Sequence, residues 1–271
     1  MKKLTKASKH HSSYIKAYED IELLKHDDLR PVRMELETLK PEIYFRKKGV
    51  TETIVCFGSA RIAEEDEAKA KLADAQKKLA KKPKDVTLQH KVKAAQGLLS
   101  LSKYYDEARL FAKLVVDNAG DRFSIVTGGG PGIMEAANRG AYENGGRSIG
   151  LNITLPHEQE PNPYITQNLA FLFHYFAIRK LHFVLRARAF VVFPGGFGTF
   201  DELFEILTLI QTGKKKNIPV ILVGKEFWTT VFNVDALAKY GVISMDDKHL
   251  CPTVDSAKEA WNIIAKFYDL K

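Results

Sequence analysis

Two glycine-rich segments hold the residues best suited to chemistry. The first reads Thr127-Gly128-Gly129-Gly130-Pro131-Gly132-Ile133-Met134-Glu135 and follows an apolar run at 123–127. Glycines let a backbone approach an anion closely, and the free N–H groups of a helix's first turn point at it. Pro131 suits the first helical position. Gly129, Gly130 and Gly132 are therefore candidate phosphate contacts. The dinucleotide fingerprint fails, because Ile133 stands where its third glycine belongs and Asn152, not an acid, closes the next strand. A Walker loop fails too, since no Lys-Ser/Thr pair follows. A tight strand-to-helix turn with no ligand is the plain alternative.

The second segment, Pro194-Gly195-Gly196-Phe197-Gly198-Thr199-Phe200-Asp201-Glu202, follows the apolar run AFVVF. Gly195, Gly196, Gly198 and Thr199 can offer backbone donors to a phosphate at a helix start, with Thr199 placed as the cap. Thr199 and Glu202 also spell a capping box, in which Glu202 bonds back to the Thr199 backbone. The competing reading sets Glu202 over a ribose. A place in the first helical turn favours its ionised form, which suits a stabiliser of positive charge or an activator of water and not a general acid. Both readings stand on the residues alone.

A third element is Arg179-Lys180 inside FHYFAIRKLHFVLRARA, a segment apolar on much of its surface. Cations in such a segment need partners: an internal ion pair, or an anion or base in a crevice. His174 and His182 flank the pair and read as core or pocket-wall histidines. Phe171, Phe173 and Tyr175 at helical spacing read as core before base pocket.

These groups need a frame. Apolar runs at 53–59, 123–127, 147–153, 189–193 and 218–223 read as strands, and helices are expected at 131–144, 169–187, 199–211, 227–239 and 255–268. Their alternation predicts an α/β fold: a Rossmann-like, doubly wound parallel sheet with both glycine loops at one crevice. Residues 1–50 are expected to form an N-terminal helical extension, with 1–12 disordered, Ser12 or Ser13 capping a first helix, and Pro31 opening a second that stops before Pro41. Residues 51–271 are expected to form the nucleotide-binding catalytic domain.

Within 64–102, Ala68, Leu72, Ala75 and Leu79 and then Leu88, Val92, Ala95 and Leu99 repeat at heptad-like spacing on either side of Pro83. This predicts an inserted helical hairpin. Its second arm should run on as one helix from 86 to 118, roughly 50 Å long at 1.5 Å per residue.

The chain has 271 residues, 45% hydrophobic and 27% charged, an ordinary globular composition. No apolar run reaches membrane-spanning length and no signal peptide is evident, so a cytoplasmic location and no membrane partner are expected. Cys56 and Cys251 form no metal motif. The net charge of +8 comes largely from lysines in 1–16, 69–93 and 213–216, which read as solvated faces. No nucleic-acid motif accompanies them, so no nucleic-acid partner is expected.

The segments GGGPGIMEAANRGA (128–141), AIRK (177–180) and PGGFGTFDELFE (194–205) together resemble the LOG (LONELY GUY) family, long labelled lysine decarboxylase-like. GSAR at 58–61 and LNITLPHEQEPNPY at 151–164 are similar to its longer bacterial members. The resemblance implies a phosphoribohydrolase: a nucleoside 5′-monophosphate, either AMP-like or a cytokinin ribotide, plus water gives free base and ribose 5-phosphate. It implies Arg179 and Glu202 as the catalytic pair. Ser59, Met134 and Lys180 join the glycine loops and Thr199 as substrate contacts. It further implies a homodimer or a larger even assembly. No metal or cofactor is required. Pyridoxal phosphate would need a lysine Schiff base that no motif here positions. The alternative is a nucleotide-binding sensor or carrier on the same fold, for which the glycine loops would suffice without the carboxylate.

Overall fold

The computed structural model describes residues 12–156 and 160–270. Seven strands form one all-parallel sheet: β1 (Glu52–Phe57), β2 (Phe123–Thr127), β3 (Ser148–Ile153), β4 (Ala170–Phe173), β5 (Ala187–Val192), β6 (Val220–Val223) and β7 (Thr253–Val254). Their order is β4-β3-β2-β1-β5-β6-β7. The chain winds outward from β1 to β4, returns to pair β5 with β1, and winds outward again. The order therefore reverses between β1 and β5, the position at which such sheets open a crevice beyond the strand ends.

Strand residues alternate between two cores. Ile54, Cys56, Ile125, Ala189, Val191 and Ile221 face one, packed with α5 (Lys103–Ala119), α6 (Ile133–Glu143) and α11 (Ala257–Phe267). Val55, Phe57, Val126, Phe190, Val192 and Leu222 face the other. That side is covered by α2 (Arg30–Lys47), α7 (Phe176–Leu185), α8 (Phe197–Gln211) and α9 (Lys225–Val231). Continuous apolar strands are what burial on both faces demands.

Several boundaries differ from expectation. Residues 169–187 form edge strand β4, helix α7 and the first residue of β5, not one helix. A short apolar run such as AFLF carries no period that separates helix from strand. Residues 227–239 divide into α9 and α10 (Val234–Lys239), with Asn233 capping the second through the Ala236 N–H. Helix α2 runs through Pro41, which is buried, to Lys47, and carries Phe45 and the adjoining Val50 into the sheet core. At the N-terminus, Ser12–Tyr14 is a single 3-10 turn, and the helix α1 (Ile21–Lys25) is capped by Asp20 instead of Ser12 or Ser13. The disorder expected for 1–12 falls almost wholly outside the described residues.

The inserted hairpin is present as α3 (Glu65–Lys81) and α4 (Val86–Leu101). Leu72, Ala75, Leu79, Leu88, Val92, Ala95 and Leu99 are half-buried, while most of the outward positions are exposed. The expected fusion with α5 is interrupted at Ser102. There the N–H and the hydroxyl both donate to Leu99 O, three residues back, at 3.2 and 2.8 Å. Such local bonding competes with the helical ladder. No helix of the described residues is long and apolar enough to cross a membrane.

Candidate active site

The first glycine loop leaves β2 at Thr127. Its hydroxyl accepts the Gly129 N–H at 2.9 Å and donates to Asn138 Oδ1 at 2.6 Å. Gly129 and Gly132 have φ of +74° and +73°, a left-handed backbone open to glycine. Space requires glycine as well. A Cβ at Gly129 would come within 2.1 Å of Asn152 Oδ1, and one at Gly132 within 2.4 Å of Ser59 O. Asn138, buried on α6, also donates Nδ2 to Ser148 Oγ (2.7 Å) and Ile149 O (3.2 Å). Asn162 donates its side chain to Asn138 Oδ1 (2.9 Å) and Gly130 O (3.1 Å), and its N–H to Gly129 O (2.9 Å). The loop is thus held from below by two buried amides.

The second loop leaves β5 through Phe193 and Pro194. Gly196 is the N-cap of α8, and the first bonds run from the Thr199 and Phe200 N–H groups to Gly196 O at 2.9 and 3.1 Å. The helix therefore starts two residues earlier than expected. Thr199 is its third residue and not its cap, and Glu202 lies in the second turn. No side-chain capping bond forms, so the capping-box reading of Glu202 is overturned. Gly195 must be small, because a Cβ there would meet Thr199 Oγ1 at 2.1 Å. Gly196, Phe197 and Gly198 are exposed at the loop tip.

Ser59, just beyond β1, ties the two loops together. Its N–H donates to Pro194 O at 3.0 Å, and its carbonyl accepts the Ile133 N–H at 3.1 Å. Its hydroxyl accepts the Arg61 N–H at 3.1 Å. The backbone of Ser59 is a strut between the loops.

Arg179 and Glu202 come together above this frame. Arg179 Nη1 lies 3.7 Å from Glu202 Oε1, and both side chains are largely buried. Arg179 Nε donates to Leu151 O at 2.7 Å. Its guanidinium and Met134 Sδ crowd Gly128, where a Cβ would meet Nη2 and Sδ at 2.7 Å each. Burial pushes the Glu202 carboxyl up to about 7, and Arg179 and Lys180 pull against it only in part. Burial lowers Arg179 as well, opposed by Glu202. Position near a helix start was expected to keep Glu202 ionised. Loss of water around the carboxylate outweighs it.

Lys180, expected among the substrate contacts, is held by two carboxylates of α8. Its Nζ sits 2.8 Å from Asp201 and 2.9 Å from Glu205, a link between α7 and α8. His182 is core, packed against Phe45 and Phe173, whereas His174 is exposed. Phe171 and Phe173 are core, and Tyr175 accepts a bond from Arg33 Nε at 3.2 Å. Asn138 and Asn162 escaped sequence reasoning, and Asn152 was read only as the want of an acid, although all three lie inside or beside the motif segments.

A family model described as possible lysine decarboxylase matches residues 134–264. The cytokinin riboside 5′-monophosphate phosphoribohydrolase LOG of Oryza sativa subsp. japonica is 27% identical over 162 residues, covering 58% of this chain and 64% of that protein. The pyrimidine/purine nucleotide 5′-monophosphate nucleosidase of Escherichia coli K12 is 30% identical over 163 residues, covering 55% of this chain and 35% of that protein. The chain thus spans less than two thirds of the length of either relative. A molybdenum cofactor binding protein from Rippkaea orientalis aligns at a TM-score of 0.45 with 21% identity, over 61% of this chain and 88% of that one. The stretch shared with the family model begins at Met134, in the first turn of α6, and takes in Arg179, the second loop and Glu202; over it the chain is similar to proteins of the LOG family.

Proposed function

We propose that this chain hydrolyses the N-glycosidic bond of nucleoside 5′-monophosphates, AMP-like or cytokinin ribotides, giving free base and ribose 5-phosphate. One observation carries the reading: a buried arginine–carboxylate pair 3.7 Å apart, set over two glycine loops at the switch point of the sheet. A phosphate-binding protein needs the loops but has no use for Glu202. The names of the rice and E. coli relatives agree with this chemistry.

The 5′-phosphate lies at the loops, where the N–H groups ahead of the first helical bonds of α6 and α8 can meet it. Breaking the glycosidic bond leaves an oxocarbenium-like ribose and sends an electron pair to the base. Glu202 stabilises that cation and takes a proton from the attacking water. A carboxyl held near 7 is well matched to accept a proton at neutral pH. Arg179 faces the developing negative charge of the departing base; a guanidinium stabilises charge but donates protons poorly. Lys180 holds α7 against α8. Exposed Leu36 and Leu39 on α2, Leu172 on β4, and Phe176 and Leu181 on α7 support a homodimer built over that face.

The test is incubation of the purified chain with AMP, GMP, CMP, UMP and a cytokinin ribotide, with free base as the readout. Monophosphates should be cleaved much faster than nucleosides, because phosphate binding energy positions the ribose. Equal cleavage of AMP and adenosine would remove the loops from the mechanism. Tight binding with no base released would leave a nucleotide sensor.

A further inference from the structure

Helix α7, which carries Arg179, begins without a cap of its own, since Tyr175 at its N-cap makes no side-chain bond to the helix. Another element supplies the cap. The carboxylate of Glu37, on α2, accepts the His174 N–H at 2.8 Å on one oxygen and the Tyr175 N–H at 3.1 Å on the other. A carboxylate at a helix N-terminus gains from the charge-assisted bonds and from the helix dipole. One turn earlier on α2, Arg33 donates Nε to Tyr175 Oη and Nη1 to the carbonyls of Leu24 and His26. At the other end of α7, Arg186 is paired with Glu42 of α2 (Nη2 to Oε2, 2.6 Å) and donates Nε to Val50 O. Helix α2 therefore holds α7 at both ends.

Arg179 is the first residue of α7 whose N–H closes a bond to the N-cap carbonyl, at 3.1 Å to Tyr175 O. Glu37 thus fixes, through its N–H, the residue whose carbonyl receives the Arg179 N–H. Its guanidinium must reach both Leu151 O and the edge of Glu202 from there. A first turn that loosens moves the cation relative to the carboxylate.

We propose that Glu37 is a positioning residue for Arg179, acting from α2 by capping α7 through the His174 and Tyr175 N–H groups. This rests on the reading of Arg179 and Glu202 as the reacting pair. The N-terminal helices are then part of the catalytic apparatus and not an appendage to it.

The experiment compares the full chain with Glu37→Ala and Glu37→Gln. It follows hydrogen exchange at the Arg179 Nε–H by NMR, and kcat, KM and the pH profile with AMP. Glu37→Ala should exchange about 10-fold faster or more and lose about 10-fold or more in kcat, with KM changed by less than about 3-fold. Glu37→Gln keeps one acceptor oxygen and should fall between. The charges facing Glu202 are Arg179 and Lys180 from α7 and Asp201 and Glu205 from α8. Retreat of Arg179 should therefore carry the ionising limb of the profile to higher pH, which a mere loss of stability would not do. A folded Glu37→Ala with wild-type exchange, kcat and profile overturns the proposal. So does a Glu37→Gln that fails to fold, since Glu37 would then serve folding alone. If the wild-type chain cleaves no nucleotide, the proposed function fails, and the exchange measurement still decides the positioning role.

Discussion

Replacing Glu202 with glutamine should make the protein less active and, above neutral pH, more stable. The side chain is 9% exposed and its charge is held chiefly against the cost of lost hydration. The carboxyl titrates near 7 in the folded chain against an ordinary value of 4.5. At 1.36 kcal/mol per pH unit that gap amounts to about 3 kcal/mol. Between those two values the folded chain keeps a proton that the unfolded chain releases. Stability therefore falls as pH rises through the window, and the loss is complete above the folded value. Glutamine never ionises and escapes this loss. The opposing expectation is that removing one partner of a buried ion pair destabilises by about 3–5 kcal/mol. Here the Nη1–Oε1 separation of 3.7 Å is too long for a hydrogen bond, and hydration outweighs the attraction. Thermal melts at pH 5 and pH 8 would decide it. The Glu202→Gln melting temperature, taken relative to wild type, should rise between those pH values by roughly 6–12 °C for a chain of this size. Turnover should fall by about 100-fold or more, the scale of losing a main charge stabiliser. A difference in melting temperature that does not change with pH, or near-normal turnover, would refute the reasoning.

The glycines offer a graded series. Gly129→Ala and Gly132→Ala meet both a positive φ and a neighbour inside 2.5 Å, and each should cost about 1–3 kcal/mol in a denaturation curve, whereas Gly198→Ala, with open space around it, should fold as wild type. Joining residue 64 to residue 102 through a short linker should leave a folded chain that still cleaves AMP; a folded product with no activity would tie the hairpin to the chemistry. Sedimentation at micromolar concentration should give a dimer or a larger even assembly, and a monomer would leave the exposed apolar residues of α2, β4 and α7 in need of another partner.

The two glycine loops were legible in the sequence because their physics is local. Glycine, proline and a preceding apolar run specify a strand-to-helix turn without reference to the rest of the chain. The five central strands were legible for the same reason. The edge strand β4 was not, because AFLF has the composition of a helix or a strand and only its pairing with β3 decides. The break at Ser102 depends on a hydroxyl choosing Leu99 O, which heptad spacing does not record. The site divided in the same way. That Arg179 and Glu202 belong together followed from motif resemblance. The protonation of Glu202 required its burial, and the partner of Lys180 required knowing that α8 begins at Phe197 and so turns Asp201 and Glu205 toward α7. The anchoring asparagines went unread because a lone Asn, in a helix as Asn138 or in a loop as Asn162, announces nothing until its neighbours are known.

Those asparagines bear on how the protein meets changes of acidity. The scaffold beneath the first glycine loop consists of Thr127, Asn138, Ser148 and Asn162. None of these side chains gains or loses a proton in the range where proteins work. A carboxylate or histidine in the place of Asn138 would couple the shape of the first glycine loop to the medium. An amide gives the same donor and acceptor without that dependence. The hydrogen bonds that hold the first glycine loop therefore join side chains that do not change charge from mildly acid to mildly alkaline conditions.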